Sequence, residues 1–223
     1  MHEESFKQIV ETIRADMNQR SDARDLAITR SRELIRQCAE CIRAIHRQEW
    51  SMADIKLGQI QTIATSLHSN LAPYPDLYHA GYTQDALKEL VEAYTTYAII
   101  RDQPLPTPED LNVPSATYLN GLAEAATELR RFILDIMRQE IYHNSEAERL
   151  LGWMDAIYDE LVAVDFPDAI TNGLRRQTDV VRGVLERTRG DLTNSLRQQQ
   201  LQEALLRLEQ RLTTTNSQED SIS

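Results

Sequence analysis

The chain reads as an all-α protein, a single domain of about six to seven long helices. Three observations predict this. Apolar residues recur at three- and four-residue intervals through nearly the whole length. No stretch alternates with period two for long enough to make a strand. Glycine and proline, the usual breakers, number only seven each in 223 residues. A hydrophobic content of 41% is enough to build one large core.

Taken in order, the first helical region runs from Glu3 to Glu49, with a break expected near Asn18-Gln19-Arg20-Ser21-Asp22. Leu26, Ile35, Cys38, Ile42 and Ile45 line one side of it. Ser51 reads as an N-cap with Asp54 in the first turn, opening a helix through Ile55, Ile60, Ile63 and Leu67. Pro73 and Pro75 make a rigid loop of residues 70–76. Between Asp85 and Ala98, Leu87, Leu90, Val91, Tyr94 and Ala98 share one helical stripe, and Asp85, Glu89, Glu92 and Thr96 fall opposite, the pattern of a solvated face. Thr107, Pro108 and Glu109-Asp110 spell a short capped turn.

Pro114-Ser115 starts the next long helix, carried by Leu119, Leu122, Ala126, Leu129, Ile133 and Met137. Glu124, Glu128, Arg131 and Asp135 occupy its far face. Arg130 falls on the apolar side, where it must snorkel or pair with a carboxylate. His143-Asn144-Ser145 breaks the chain before a helix from Glu146 to Val164, with Asp155 and Asp159 opposite its apolar stripe. A last helix spans Asn172–Arg189, and Leu201, Leu205, Leu208 and Leu212 continue an amphipathic pattern. The expected organisation is a helical domain over 1–192, an amphipathic extension over 193–212 and a polar, disordered tail over 213–223.

The net charge of −11 argues on its face against a nucleic-acid partner, but it is unevenly distributed. Residues 1–50 hold nine basic residues against nine acidic, whereas 51–110 hold three against eight and 111–172 four against eleven. All but three basic residues are arginine, the better fork for phosphate. Cys38 and Cys41 form a C-x-x-C on a helical stretch, without a second cysteine pair or clustered histidines. They read as semi-buried thiols in a reducing cytoplasm. The acidic N-terminus is unlike a signal peptide, and no apolar run is long enough to span a membrane. A cytoplasmic location is expected.

Several chemistries are excluded by missing motifs. There is no Gly-rich phosphate loop, no G-x-S-x-G elbow, no H-E-x-x-H and no paired Glu-x-x-His. What remains are carboxylates on three successive long helices: Glu89 and Glu92, then Glu128, then Asp155 and Asp159. Hard oxygen ligands of this kind suit Mg²⁺ or Mn²⁺ acting on a phosphate. The all-α nucleotide pyrophosphohydrolases also use a helical E-x-x-E, but they pair it with an E-x-x-D that this chain lacks.

A closer resemblance is carried by several segments in register. Ser31-Arg32-Glu33 and Ile45-His46-Arg47, then Leu87-Lys88-Glu89-Leu90-Val91-Glu92-Ala93, resemble elements of the translin superfamily. Tyr118-Leu119-Asn120-Gly121-Leu122 through Glu128-Leu129-Arg130, Tyr158-Asp159 and Arg189-Gly190 do likewise. The similarity covers roughly residues 20–192 and is strongest to the catalytic, translin-associated factor X branch. One departure is Ala39-Glu40, where the eukaryotic paralogue has Lys-Arg.

The resemblance implies a translin-like helical bundle and a metal-dependent endoribonuclease that cuts single-stranded RNA through metal-activated water, leaving 3′-hydroxyl and 5′-phosphate ends. It implies Glu89, Glu92 and Asp159 as Mg²⁺ (or Mn²⁺) ligands; Glu128, Asp155 and Glu160, close in sequence or on the same helix faces, are the candidate outer ligands. It also implies a homo-oligomer, an octamer in the family. Arg30, Arg32, Arg36, Arg43 and Arg47 of the first helix are the candidate phosphate track. Two alternatives are a non-catalytic RNA-binding oligomer and a nucleotide pyrophosphohydrolase.

Overall fold

The computed structural model describes residues 2–138 and 144–219, with side chains over 3–138 and 145–211. Six long helices appear among these residues: α1 (His2–His46), α2 (Trp50–Leu71), α4 (Gly81–Ile100), α6 (Ser115–Met137), α7 (Asn144–Ala163) and α9 (Leu174–Glu219). Three one-turn helices, α3 (Pro75–Tyr78), α5 (Pro108–Leu111) and α8 (Asp168–Thr171), sit in the connections. There is no strand among the described residues.

α1 and α2 form an antiparallel hairpin, closed by Gln48 in the left-handed region and clamped by Lys56 Nζ between Gln37 at 2.9 Å and Glu40 at 2.5 Å. α4 lies along α1 and α6 along α4; α7 and α9 complete the layer beyond α6. α4 is the centre of this arrangement, with thirteen of its twenty residues buried. Its C-terminal carbonyls, which have no partner within the helix, are taken by Arg149 at the start of α7: Nη1 donates to Ile99 O at 2.9 Å and Nη2 to Ile100 O at 3.3 Å. On the far side, Asn120 of α6 donates to Thr171 O of α8 at 2.9 Å.

Several local expectations are corrected. α1 is unbroken through Asn18–Asp22: none of those five residues is Gly or Pro, so each costs the helix only tenths of a kcal/mol. α2 begins at Trp50, with Glu49 at the N-cap and Ser51 already helical. The three-residue turn leaves no room for a later start, and Trp50 packs edge-on against Tyr97 at 6.4 Å. The loop over 70–76 is shorter than expected, because α2 reaches Leu71 and Pro75 opens α3. The capped turn at Thr107 forms as read, with Thr107 and Asp110 making a reciprocal capping box. Arg130 pairs with Asp191 at 2.8 Å and donates to Thr188 Oγ1 at 3.0 Å.

No break separates residues 192 and 193. α9 runs through Gly190 to Glu219 and so takes in the first part of the tail expected to be disordered. One helical glycine costs only about 1 kcal/mol relative to alanine. Leu192, 1% exposed, still anchors the helix beyond it. The expected break at His143 lies outside the described residues.

Candidate metal centre

The face of α4 expected to meet solvent is largely inside the protein. Asp85 is exposed, but Thr96 is fully buried and Glu92 is only 8% exposed. The cause lies on α6. Gly121 faces α4 so closely that a Cβ there would stand 2.6 Å from Val91 Cβ and 2.7 Å from the Lys88 carbonyl oxygen. Only glycine permits this approach. Glu124, one turn beyond Gly121, is thereby brought against Glu89 and Glu92. One carboxylate oxygen from each of the three lies within 4.8 Å of the others.

Such a group is electrostatically costly as it stands. Burial, then the negative charges of Glu89, Glu124 and Glu128, push the Glu92 carboxyl up to about 8 from an ordinary 4.5. Glu89 is raised for the same reasons, burial first and then Glu124. One cation answers them: Lys88 Nζ sits 2.6 Å from Glu124 Oε1. Burial opposes its charge, but the bond to Glu124 and the surrounding carboxylates hold its pKa above the usual lysine value. Gln177 of α9 adds a donor to the same Glu124 oxygen at 3.3 Å.

Glu128, expected as an outer ligand, lies at the edge of this group. Its Oε2 is 2.5 Å from His46 Nε2 of α1, and it adds to the field on Glu92. The other expected carboxylates are elsewhere. Asp159 and Glu160 are exposed on α7, and Asp155 pairs with Arg189 of α9 at 2.5 Å. Asp159 is therefore not in the group that Glu89 and Glu92 join, and the third member there is Glu124. The physical reason is helix order: α6 lies between α4 and most of α7, and Asp159 points outward on the α9 side.

The sequence carried a signal for Glu124 that went unused. Glu124 and Glu128 sit on one face of α6, and Gly121 marks where that face touches its neighbour. Among the arginines of α1, Arg32, Arg36, Arg43 and Arg47 follow at four, seven and four residues and share one exposed face. Arg30 lies on another side and pairs with Glu33 at 2.8 Å. The shared face points away from Cys38, the α1 residue whose thiol feels Glu89 and Glu92.

The two cysteines are free and buried. Burial pushes both thiols up, Cys41 to about 12, as expected for cysteines packed in a core.

These features define a class: an all-α bundle with carboxylates gathered in the seam of its central helix pair. No family model matches the chain. An uncharacterized protein of Methanocaldococcus jannaschii is 33% identical over 192 residues, covering 85% of this chain and 84% of the relative. Among solved structures, AfC3PO superimposes with a TM-score of 0.77 at 32% identity, over 83% of this chain and 96% of that one. The same protein in a duplex RNA complex gives 0.72 at 31%, over 83% and 95%. NeC3PO, at 19% identity and a TM-score of 0.76 over 83% and 96%, shares the fold. The chain belongs to the translin superfamily.

Proposed function

We propose that this protein is a divalent-metal-dependent endoribonuclease whose metal is held by Glu89, Glu92 and Glu124. The observation that carries the reading is the carboxylate triplet, with Glu92 buried and Glu89 and Glu124 half-buried, and a single lysine to neutralise it. Three hard oxygens within 4.8 Å, drawn from two rigid helices, fit Mg²⁺ or Mn²⁺. The solved relative in complex with duplex RNA supports RNA as the substrate class, and the family resemblance supports single-stranded RNA as the form that is cut.

A bound divalent ion supplies charge neutralisation on the scissile phosphate and lowers the pKa of a water it carries. The chain's own residues do the rest. Glu92, neutral below its raised pKa, gives up its proton when a cation enters, so binding near neutral pH releases protons. Lys88 holds Glu124 in place. His46 holds Glu128, whose side chain is 21% exposed, at the edge of the group.

The test is incubation of wild type and Glu92→Gln with labelled single-stranded RNA, duplex RNA and nucleoside triphosphates, first with Mg²⁺ and then with EDTA. Cleavage of single-stranded RNA to 5′-phosphate ends, lost in EDTA and in the variant, is the expected result. Uncut RNA under both Mg²⁺ and Mn²⁺ overturns the nuclease reading, and 2′,3′-cyclic phosphate ends overturn the water mechanism. RNA bound but never cut assigns the chain to a binding shell, and release of pyrophosphate from triphosphates with RNA untouched assigns it to the pyrophosphohydrolases. Light scattering tests the homo-oligomer. Among the described residues no helix is long and apolar enough to cross a membrane.

A further inference from the structure

The arginine face of α1 turns away from the carboxylate triplet, but another pair of arginines shares the triplet's own helix face. Along α6, Glu124, Glu128, Arg131, Asp135 and Arg138 succeed one another at intervals of four, three, four and three residues, which makes one stripe. At a rise of ~1.5 Å per residue, Arg131 and Arg138 stand about 10 and 21 Å beyond Glu124 along the axis. They border an open cleft of about 630 Å³ between the end of α6 and α9.

The charges of this cleft are unequally committed. Asp191 in its wall is taken by Arg130 at 2.8 Å, and Asp135 lies 3.7 Å from His46 Nδ1. Arg131 makes only a loose 3.8 Å contact with Glu128, and Arg138 has no ion-pair partner among the described residues. His46 Nδ1 has no hydrogen-bond partner among the described residues, so the uncommitted side chains are two guanidiniums against one carboxylate, a small positive excess in a chain of net charge −11. On the facing helix, Asn194, Ser195 and Gln198 line the cleft, and their side chains make no hydrogen bond among the described residues. Uncommitted guanidinium forks opposite a row of neutral donors and acceptors suit an alternating phosphate and sugar–base polymer.

We propose that the α6–α9 cleft is a strand-binding subsite for RNA. Arg131 and Arg138 take backbone phosphates of a strand leaving the carboxylate triplet, and Asn194, Ser195 and Gln198 meet ribose hydroxyls and base edges. This rests on the nuclease reading for its direction, but its test needs no catalysis.

Binding of fluorescent single-stranded RNAs, one long enough to span both sites and one of four nucleotides, is measured in EDTA across a salt series. The Arg131→Ala/Arg138→Ala protein is expected to bind the long RNA about tenfold more weakly. The slope of log affinity against log salt should fall by about 1.4, at ~0.7 per lost phosphate contact on a single strand. The four-nucleotide RNA, which has only the cleft to hold it in EDTA, should weaken as well, and Mn²⁺ binding, measured without EDTA, should be unaffected. Replacement of both arginines by lysine should restore the slope.

An unchanged slope and affinity overturn the proposal, as does a slope that moves only when Arg32, Arg36, Arg43 and Arg47 are replaced. Loss of Mn²⁺ binding in the double variant also overturns it, by placing the effect in the carboxylate group. A wild type that binds RNA but never cuts it defeats the nuclease reading and leaves this result readable.

Discussion

The α4–α6 seam and the α7–α9 seam both carry acidic side chains, and the bundle treats them in opposite ways. Between α7 and α9, Asp155 meets Arg189 at the surface and Asp159 faces water. Each charge there has a partner or a solvent shell. Between α4 and α6, Gly121 removes the spacing a side chain would impose, and three carboxylates share one small volume with one lysine. Acidity alone does not distinguish the seams; what does is how closely two helices approach and how many cations come with them.

The strongest break of this contrast is catalytic. Glu92→Gln should abolish Mg²⁺-dependent RNA cleavage, beyond the ~10–100-fold that outer partners of a metal are worth, whereas Asp159→Asn should stay within about threefold of wild type. Equal damage from the two would return Asp159 to the metal set and erase the difference between the seams.

A pH series sharpens the contrast without any RNA. The Glu92 carboxyl is raised in the folded state, so the folded protein binds its proton more tightly than the unfolded chain does. Its contribution to stability is complete below about 4.5 and is lost as pH rises through about 8. In EDTA, the unfolding free energy from urea melts should fall over that window by on the order of a few kcal/mol. Glu92→Gln should flatten the decline, and saturating Mg²⁺ should reverse it. The same melts for Asp159→Asn should track wild type.

Glycine replacements compare the seams directly. Gly121→Ala forces α4 and α6 apart against backbone as well as side chain, at about 1–3 kcal/mol in urea denaturation, and should weaken Mn²⁺ binding with it. Gly183→Ala on α9, where a Cβ would meet nothing within 4 Å, should be neutral or stabilise by up to about 1 kcal/mol. The smallest effect is expected from Asp155→Asn, which removes an exposed ion pair worth less than about 1 kcal/mol. A larger loss would show that the α7–α9 seam is more than a surface pairing.

Much of this was legible in the residues. The periodicities of Leu87-Leu90-Val91 and Leu129-Ile133 located the central helices, and Thr107-Pro108 located a capping box, because those patterns act within a few residues. Glu89 and Glu92 were singled out by resemblance, since spacing alone treated Asp85 and Thr96 as their equals. The differences have one character. The carboxylate that meets Glu89 and Glu92 is Glu124 and not Asp159, Arg30 was grouped with arginines that do not share its face, and spacing read alone gives a solvated face where Glu92 and Thr96 are buried. Each concerns which surface of a helix its neighbours cover.

What the sequence determined by itself was the all-α class, the long helices and the supply of carboxylates and arginines, since helix formation and amphipathicity are set by local spacing. The tertiary structure decided which of those groups meet. Gly121 announces close approach but not its partner, and only the packing of α6 on Val91 and Lys88 puts Glu124 beside Glu89 and Glu92. Likewise, only the packing of α9 on α6 frees Arg131 and Arg138 by giving Asp191 to Arg130. Side chains more than thirty residues apart are joined by helix order and interaxial distance, and neither is written in any single stretch of the chain.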